Sequence, residues 1–254
     1  MTYLWTPPAE LVENSNLTAF LRATGQADYD ALAARADADP SWLMEEVFRF
    51  CGVRFYRPYE KMLDLSRGQP WARWCVGGTT NIVLNCIDKH RGTAVWDQNF
   101  LVWEGEDKSE QRQLTYAEFA SGVGALASGL QRLGIGKGDV VAIYMPNLPE
   151  TFMAFFAILK VGAIAMPLFS GFGPSPILSR LNHGEAKAVI TANGTWRRGV
   201  AAPLKSVLDE ALKSAPSVHH VIVVDRGGLG VETPMQADRD HWWHEIARDG
   251  SDVP

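Results

Sequence analysis

"DVVAIYMPNLPETFMAFFAILKVGAIAMPLF", Asp139 to Phe169, carries three patterns in succession. "DVVAIYM" is a short, β-branched apolar run closed by Pro146 and Asn147. Asn147 to Val161 is rich in Phe and Met at helical spacing, Gly162 ends it, and "AIAMPLF" is a second apolar run. Neither run alternates with polar residues, so both predict strands buried on two faces, joined by a buried helix.

The same rhythm continues downstream. A helix is predicted from Pro174, a strand at "KAVIT", a helix across Pro203 to Leu212, and a strand at "HHVIVV". Upstream, "TAVWD", "FLVWEGED" and "RQLTY" are predicted strands, with "DKSEQ" as a polar turn between the last two. Thr115 and Glu118 form a capping-box pair that starts a helix through Leu126, Leu130 and Leu133, ended by Gly134. Strands alternating with helices in this way predict an α/β fold, a mostly parallel sheet with helices on both faces. The tail from Gly227 is poorer in pattern, and the aromatic pair of "DRDHWWHEI" is expected to pack back on the domain.

The segment before Trp74 reads as short helices. Asn16 is a candidate cap with Gly25 as the stop, and Asp39 followed by Pro40 is a stronger start signal for a helix burying Trp42, Leu43, Val47 and Phe50. Two regions are therefore expected, a helical cap over 1–75 and an α/β domain over 76–254.

The totals narrow the classes. With 254 residues, 46% apolar and 21% charged, the chain is of ordinary globular composition. A formal net charge of −5 argues against a broad nucleic-acid surface. Cys51, Cys75 and Cys86 form no CxxC pair or disulfide framework, and are read as buried, reduced thiols of a cytoplasmic protein. "MTYLWTPPAELVENSN" has no basic segment followed by an apolar core. Phe152 to Phe169 approaches the roughly 18 residues of a membrane span, but Lys160, Gly162 and Pro167 divide it into helix and strand. No membrane partner is expected.

In open α/β sheets ligands gather at the carboxyl ends of the strands. The loops to watch are "PNLPE" after Met145, "SGFGP" after Phe169, "ANGTWRR" after Thr191 and "DRGGLG" after Val224, which should share one edge. A helix beginning at Pro174 would aim free N–H groups at that edge, a ready anion site. Any strand-to-helix turn needs such residues, however, and on the turn alone the simple chain reversal is favoured. Arg197 and Arg198 reach the same edge; beside Phe169 and Phe172 they suit a base and its phosphates, or equally cap surface carboxylates. "CVGGTTN" lacks the Lys of a phosphate loop and reads better as a cap at Thr80 or Asn81. His241 and His244 have no HExxH spacing, no GxSxG elbow occurs, and neither a metal site nor a catalytic constellation is predicted.

In order and spacing, "GGTTNIVLNCIDKH", "AVWDQNFLVWEGED", "LTYAEFASGVGALASGLQRLGIGKGDVVAIYMPNLPE", "VGAIAMPLFSGF", "KAVITANGTWRRG", "PLKSVLDEAL", "VIVV" and "RDHWW" resemble the N-terminal part of AMP-forming acyl-CoA synthetases of the acetyl-CoA synthetase type. The likeness runs from about Gly77 to Trp243, and the preceding helices are similar to the cap in such enzymes. The resemblance implies a ligase that joins a short carboxylic acid to coenzyme A, with ATP as energy source and magnesium accompanying it. It also implies that Phe169, Gly171 and Arg197 bind the nucleotide part of coenzyme A. Two positions depart from the family pattern: Ser170 replaces the first Gly of Phe-Gly-Gly-Phe, and Val200 stands where a further arginine is common, leaving Arg198 as its candidate substitute.

The family's phosphate loop, acyl pocket and catalytic lysine come later than Pro254. The chain is therefore expected to be a fragment that cannot form the adenylate alone, with an open sheet edge that favours self-association. The rival expectation is a non-catalytic module that binds a nucleotide or pairs with another chain.

Overall fold

The computed structural model describes residues 4–106 and 110–248. The predicted turn at "DKSEQ" falls largely at residues 107–109, outside the described residues. The chain forms two compact units, Met1–Thr80 and Asn81–Pro254.

The first unit contains α1 (Ala9–Glu13), α2 (Asn16–Thr24), α3 (Tyr29–Ala38) and α4 (Pro40–Phe50), then an antiparallel pair, β1 (Lys61–Asp64) and β2 (Arg73–Val76). Asp39 accepts from the Trp42 N–H at 3.1 Å and Pro40 takes the first helical position, as the sequence signals. α2 is capped by Ser15 instead of Asn16, because the Ser15 hydroxyl accepts from Thr18 N–H; Gly25 closes the helix at φ 67°. The face expected to bury Phe50 does not, and Trp42, Leu43 and Val47 are only partly covered. The thiols differ too: Cys51 is exposed, and Cys75 and Cys86 are half-buried.

The second unit opens with α5 (Ile82–Cys86), whose cap is Asn81, its side chain accepting from Val83 N–H at 2.9 Å. There follow β3 (Asn99–Glu104), β4 (Gln111–Thr115), α6 (Tyr116–Arg132), β5 (Val140–Tyr144), α7 (Pro149–Lys160), β6 (Ile164–Pro167) and α8 (Pro174–His183). Then come β7 (Ala188–Ala192), β8 (Gly194–Arg197), β9 (Val200–Pro203), α9 (Lys205–Leu212), β10 (His220–Val224), β11 (Asp240–Trp242) and α10 (Trp243–Ile246). "TAVWD" is a set of turns, not a strand: Trp96 N–H bonds back to Thr93 and Gln98 N–H to Val95. β3 and β4 pair as a hairpin, and the Thr115–Glu118 capping box starts α6 with both reciprocal bonds present.

Five parallel strands form the main sheet in the order β11-β10-β7-β5-β6. All of β7 and most of β5 and β10 are buried, as expected of strands covered on both faces. α6 packs on α7 with α10 against α6, while α8 packs on α9. With this strand order, the right-handed crossovers general to parallel sheets put the two groups on opposite faces. Phe100 stacks on Phe119 at 4.2 Å and meets Phe156 edge-on, which binds the β3–β4 hairpin to α6 and α7. Lys160, the charge inside the apolar stretch, reaches Asp88 at 2.9 Å. Among the described residues no helix is long and apolar enough to cross a membrane.

The tail supplies what the pattern did not announce. β11 pairs with β10 and Trp242 and Trp243 pack against the core, so the expected return of the aromatic pair comes with a fifth strand.

Candidate functional site

Connections leaving β5 and β7, adjacent in the sheet, run in opposite directions: one to β6, the other to β10. Such a divergence opens a crevice at the carboxyl ends of the two strands. A cleft of about 980 Å³ lies there. Its walls draw on all four loops: Pro146 and Asn147, the turn 169–174, Thr195 to Arg197, and Arg226. Phe169, Gly171 and Arg197 all line it.

The turn after β6 is built tightly. Phe172 N–H bonds to the Phe169 carbonyl at 2.9 Å, and the Phe169 and Phe172 rings meet edge to face at 5.6 Å. A Cβ on Gly171 would stand 2.5 Å from Phe169 Cε1, so the missing side chain is what lets the ring fold over the turn. Phe169 stays 62% exposed at the mouth, while the Arg180 guanidinium covers Phe172 at 4.4 Å. α8 begins at once, but Pro174 and Pro176 carry no N–H, so its start offers fewer donors than the anion site the sequence suggested.

Arg197 ends β8, and its neighbour across the hairpin is Val200. The two-residue turn between them has Arg198 at φ 53° and Gly199 at φ 76°, the left-handed pair that a tight hairpin of this twist needs. Arg198 thus sits at the tip of the hairpin and does not line the cleft. The sequence gives this hairpin no strand signal of its own. Its base is held by Asn193, a buried side chain that accepts from Gly194 and Arg226 N–H and donates to Asp225 at 2.9 Å.

Several cleft residues had no signal in the sequence. Trp103, Glu104, Gly105 and Glu106 come from the end of β3. Trp103 Nε1 donates to the Asn147 carbonyl at 2.6 Å, and Gly199 N–H donates to Glu106 at 2.8 Å. Arg226, largely buried, donates to Glu110 at 2.7 Å. Tyr144 forms the floor; burial pushes its phenol up, and the nearby Arg197 charge pulls it partly back. Among the described residues no group of three or more His, Cys, Asp or Glu could hold a metal ion. Magnesium, which the resemblance implies only as the companion of ATP, is held largely by phosphates and water, and it is not assigned to these residues.

Residues 89–253 match the family described as AMP-binding enzyme, and residues 29–86 match the acetyl-coenzyme A synthetase N-terminus. The chain is 38% identical to the acetyl-coenzyme A synthetase of Rhodopirellula baltica over 96% of its own length and 35% of that protein's. It is 35% identical to that of Methanothrix soehngenii, over 99% of the chain and 37% of the relative. The acetoacetyl-CoA synthetase from Streptomyces lividans superposes with a TM-score of 0.88 at 26% identity, covering 100% of this chain and 39% of that one. The chain thus spans little more than a third of the length of these relatives. Matched segments and superposed fold agree: the chain belongs to the AMP-binding enzyme family and corresponds to the N-terminal portion of its AMP-forming acyl-CoA synthetases.

Proposed function

We propose that the chain is the N-terminal portion of an acid–thiol ligase acting on a short carboxylic acid, and that its cleft binds the nucleotide part of coenzyme A. In the reaction the carboxylate attacks the α-phosphorus of ATP and pyrophosphate leaves. The coenzyme A thiol then attacks the acyl carbon, and AMP leaves. The share of the work assigned to these residues is binding: Phe169 offers an exposed ring for the base, Gly171 keeps the turn low beneath it, and Arg197 supplies the charge for a phosphate.

One observation carries this reading. Phe169 and Gly171, in the loop after one strand, and Arg197, beyond the next, line a single cleft at the divergence of the sheet. Titration with coenzyme A tests it: the unmodified chain should bind, and Arg197→Ala should bind at least tenfold more weakly. Equal binding by the two proteins removes Arg197 from the site.

The 254 residues alone are proposed not to form the adenylate, since they span little more than a third of the length of the synthetases they match. ATP/pyrophosphate exchange dependent on a short carboxylic acid would contradict this. Strand β6 at the sheet edge, with Ile164 exposed, supports self-association of the chain in isolation. A monomeric, cooperative melt in dilute solution counts against it.

A further inference from the structure

Tyr144 closes β5 with its side chain almost wholly buried (1% exposed), yet its hydroxyl reaches the turn that carries Phe169 and Gly171. The phenol lies 2.9 Å from the Phe172 carbonyl and 3.3 Å from the Ser170 carbonyl, one on each side of Gly171. A phenol has a single proton to donate, so it anchors one carbonyl firmly and the other as a weaker, shared acceptor. Both carbonyls belong to backbone that leaves the strand ladder at Pro167. The Phe172 N–H bond to Phe169, the two edge-to-face rings and Arg180 over Phe172 shape the turn, and the Tyr144 phenol ties it to the sheet.

The same ring faces the second half of the site. The positive charge of Arg197 acts on the Tyr144 phenol, and Thr191, on the strand leading to Arg197, donates its hydroxyl to the Tyr144 carbonyl at 2.8 Å. Tyr144 is thus tied to the aromatic turn through its hydroxyl and, through its backbone, to the strand that precedes the hairpin of Arg197.

We infer that Tyr144 is a positioning residue, which sets the height of the Phe169–Phe172 turn over the cleft and its spacing from Arg197. It acts through the turn and need not touch the ligand. The inference rests on the proposed nucleotide site, and deepens it.

Two measurements on the full chain separate the inference from that reading. The first needs no ligand: amide hydrogen exchange of residues 169–173 in Tyr144→Phe should be at least tenfold faster than in the unmodified chain, with β7 and β10 unchanged. The second is coenzyme A affinity, followed by the fluorescence of Trp103 and Trp196, which line the cleft. Tyr144→Phe should bind five- to twentyfold more weakly, and this loss should shrink to less than twofold in a Gly171→Ala background, where the Phe169 ring is already displaced.

A general loss of structure would speed exchange in the sheet and lower affinity equally in both backgrounds; either result overturns the inference. Unchanged exchange in the turn overturns it regardless of ligand. Faster exchange confined to the turn, in a chain that binds no coenzyme A, upholds the positioning role and overturns the nucleotide reading.

Discussion

Lys205 and Asp240, whose side chains are both fully buried, face each other at 2.7 Å across the join between α9 and the start of β11. Asp209 and Arg239 complete the group, with Lys205 to Asp209 at 2.7 Å and Arg239 to Asp209 at 2.8 Å. Burial alone would raise the Asp240 carboxyl, but bonds from Arg239, Gln236 N–H and Lys205 outweigh it and hold the carboxyl below its ordinary range. Two cations and two carboxylates close this loop without excess charge.

Removing Lys205 leaves two carboxylates, Asp209 and Asp240, to share the single charge of Arg239. Lys205→Met is expected to cost about 3–5 kcal/mol, read from urea unfolding. Lys205→Met with Asp240→Asn should recover part of that loss. A cost under about 1 kcal/mol for the single change would show that water already reaches the group.

Gly129 marks a close approach between helices. A Cβ there would lie 2.4 Å from Ile246 Cγ2 and 2.5 Å from its carbonyl oxygen, the same oxygen that accepts from Arg132 at 2.7 Å. Backbone cannot swing aside as a ring can. Gly129→Ala is expected to displace α10 at a cost of about 1–3 kcal/mol; an unchanged unfolding midpoint would show that α10 contributes nothing to stability.

His220 and His241 sit on the paired strands β10 and β11 with ring nitrogens 3.3 Å apart. Burial, then the nearby His241 and His219, push the His220 pKa below its ordinary value, against a smaller opposing bond with the Leu133 backbone. The unfolded chain therefore takes up the proton first. The stability this group contributes is complete above about pH 6.5 and is lost as pH falls through the depressed folded value. Comparing urea midpoints at pH 7.5 and pH 5.5, His220→Gln should show a smaller loss than the unmodified chain. An equal loss in both would assign the acid sensitivity to other groups.

Gly171 should behave unlike Gly129. Its Cβ would meet only the far end of the exposed Phe169 ring. Gly171→Ala is expected to change stability by less than about 1 kcal/mol and to weaken coenzyme A binding at least fivefold. Unaltered binding would show that the ring position is irrelevant to the ligand.

Local signals in the sequence were sufficient where they carried their own physics. Asp39 before Pro40, the Thr115–Glu118 pair, and the unbroken apolar runs that became β5, β7 and β10 are each decided within a few residues. They give the parallel sheet and place Phe169, Gly171 and Arg197 at one edge. What escaped depends on partners far along the chain. β11 is three residues long and charged, and is a strand because β10 pairs with it and Lys205 takes up Asp240. "TAVWD" has strand composition but no strand to pair with. Glu106 enters the cleft through a bond to Gly199, a residue 93 positions away that no local pattern connects to it.

The strand order bears on how the protein is made. Once β5 and β6 are side by side, β7 joins the free edge of β5, β10 joins β7 and β11 joins β10, while β6 stays at the other edge. No strand has to be threaded between two already paired. A chain leaving the ribosome can thus extend the sheet outward from β5, each of β7, β10 and β11 adding to one side, and the cleft floor at Tyr144 is complete before β10 has been translated.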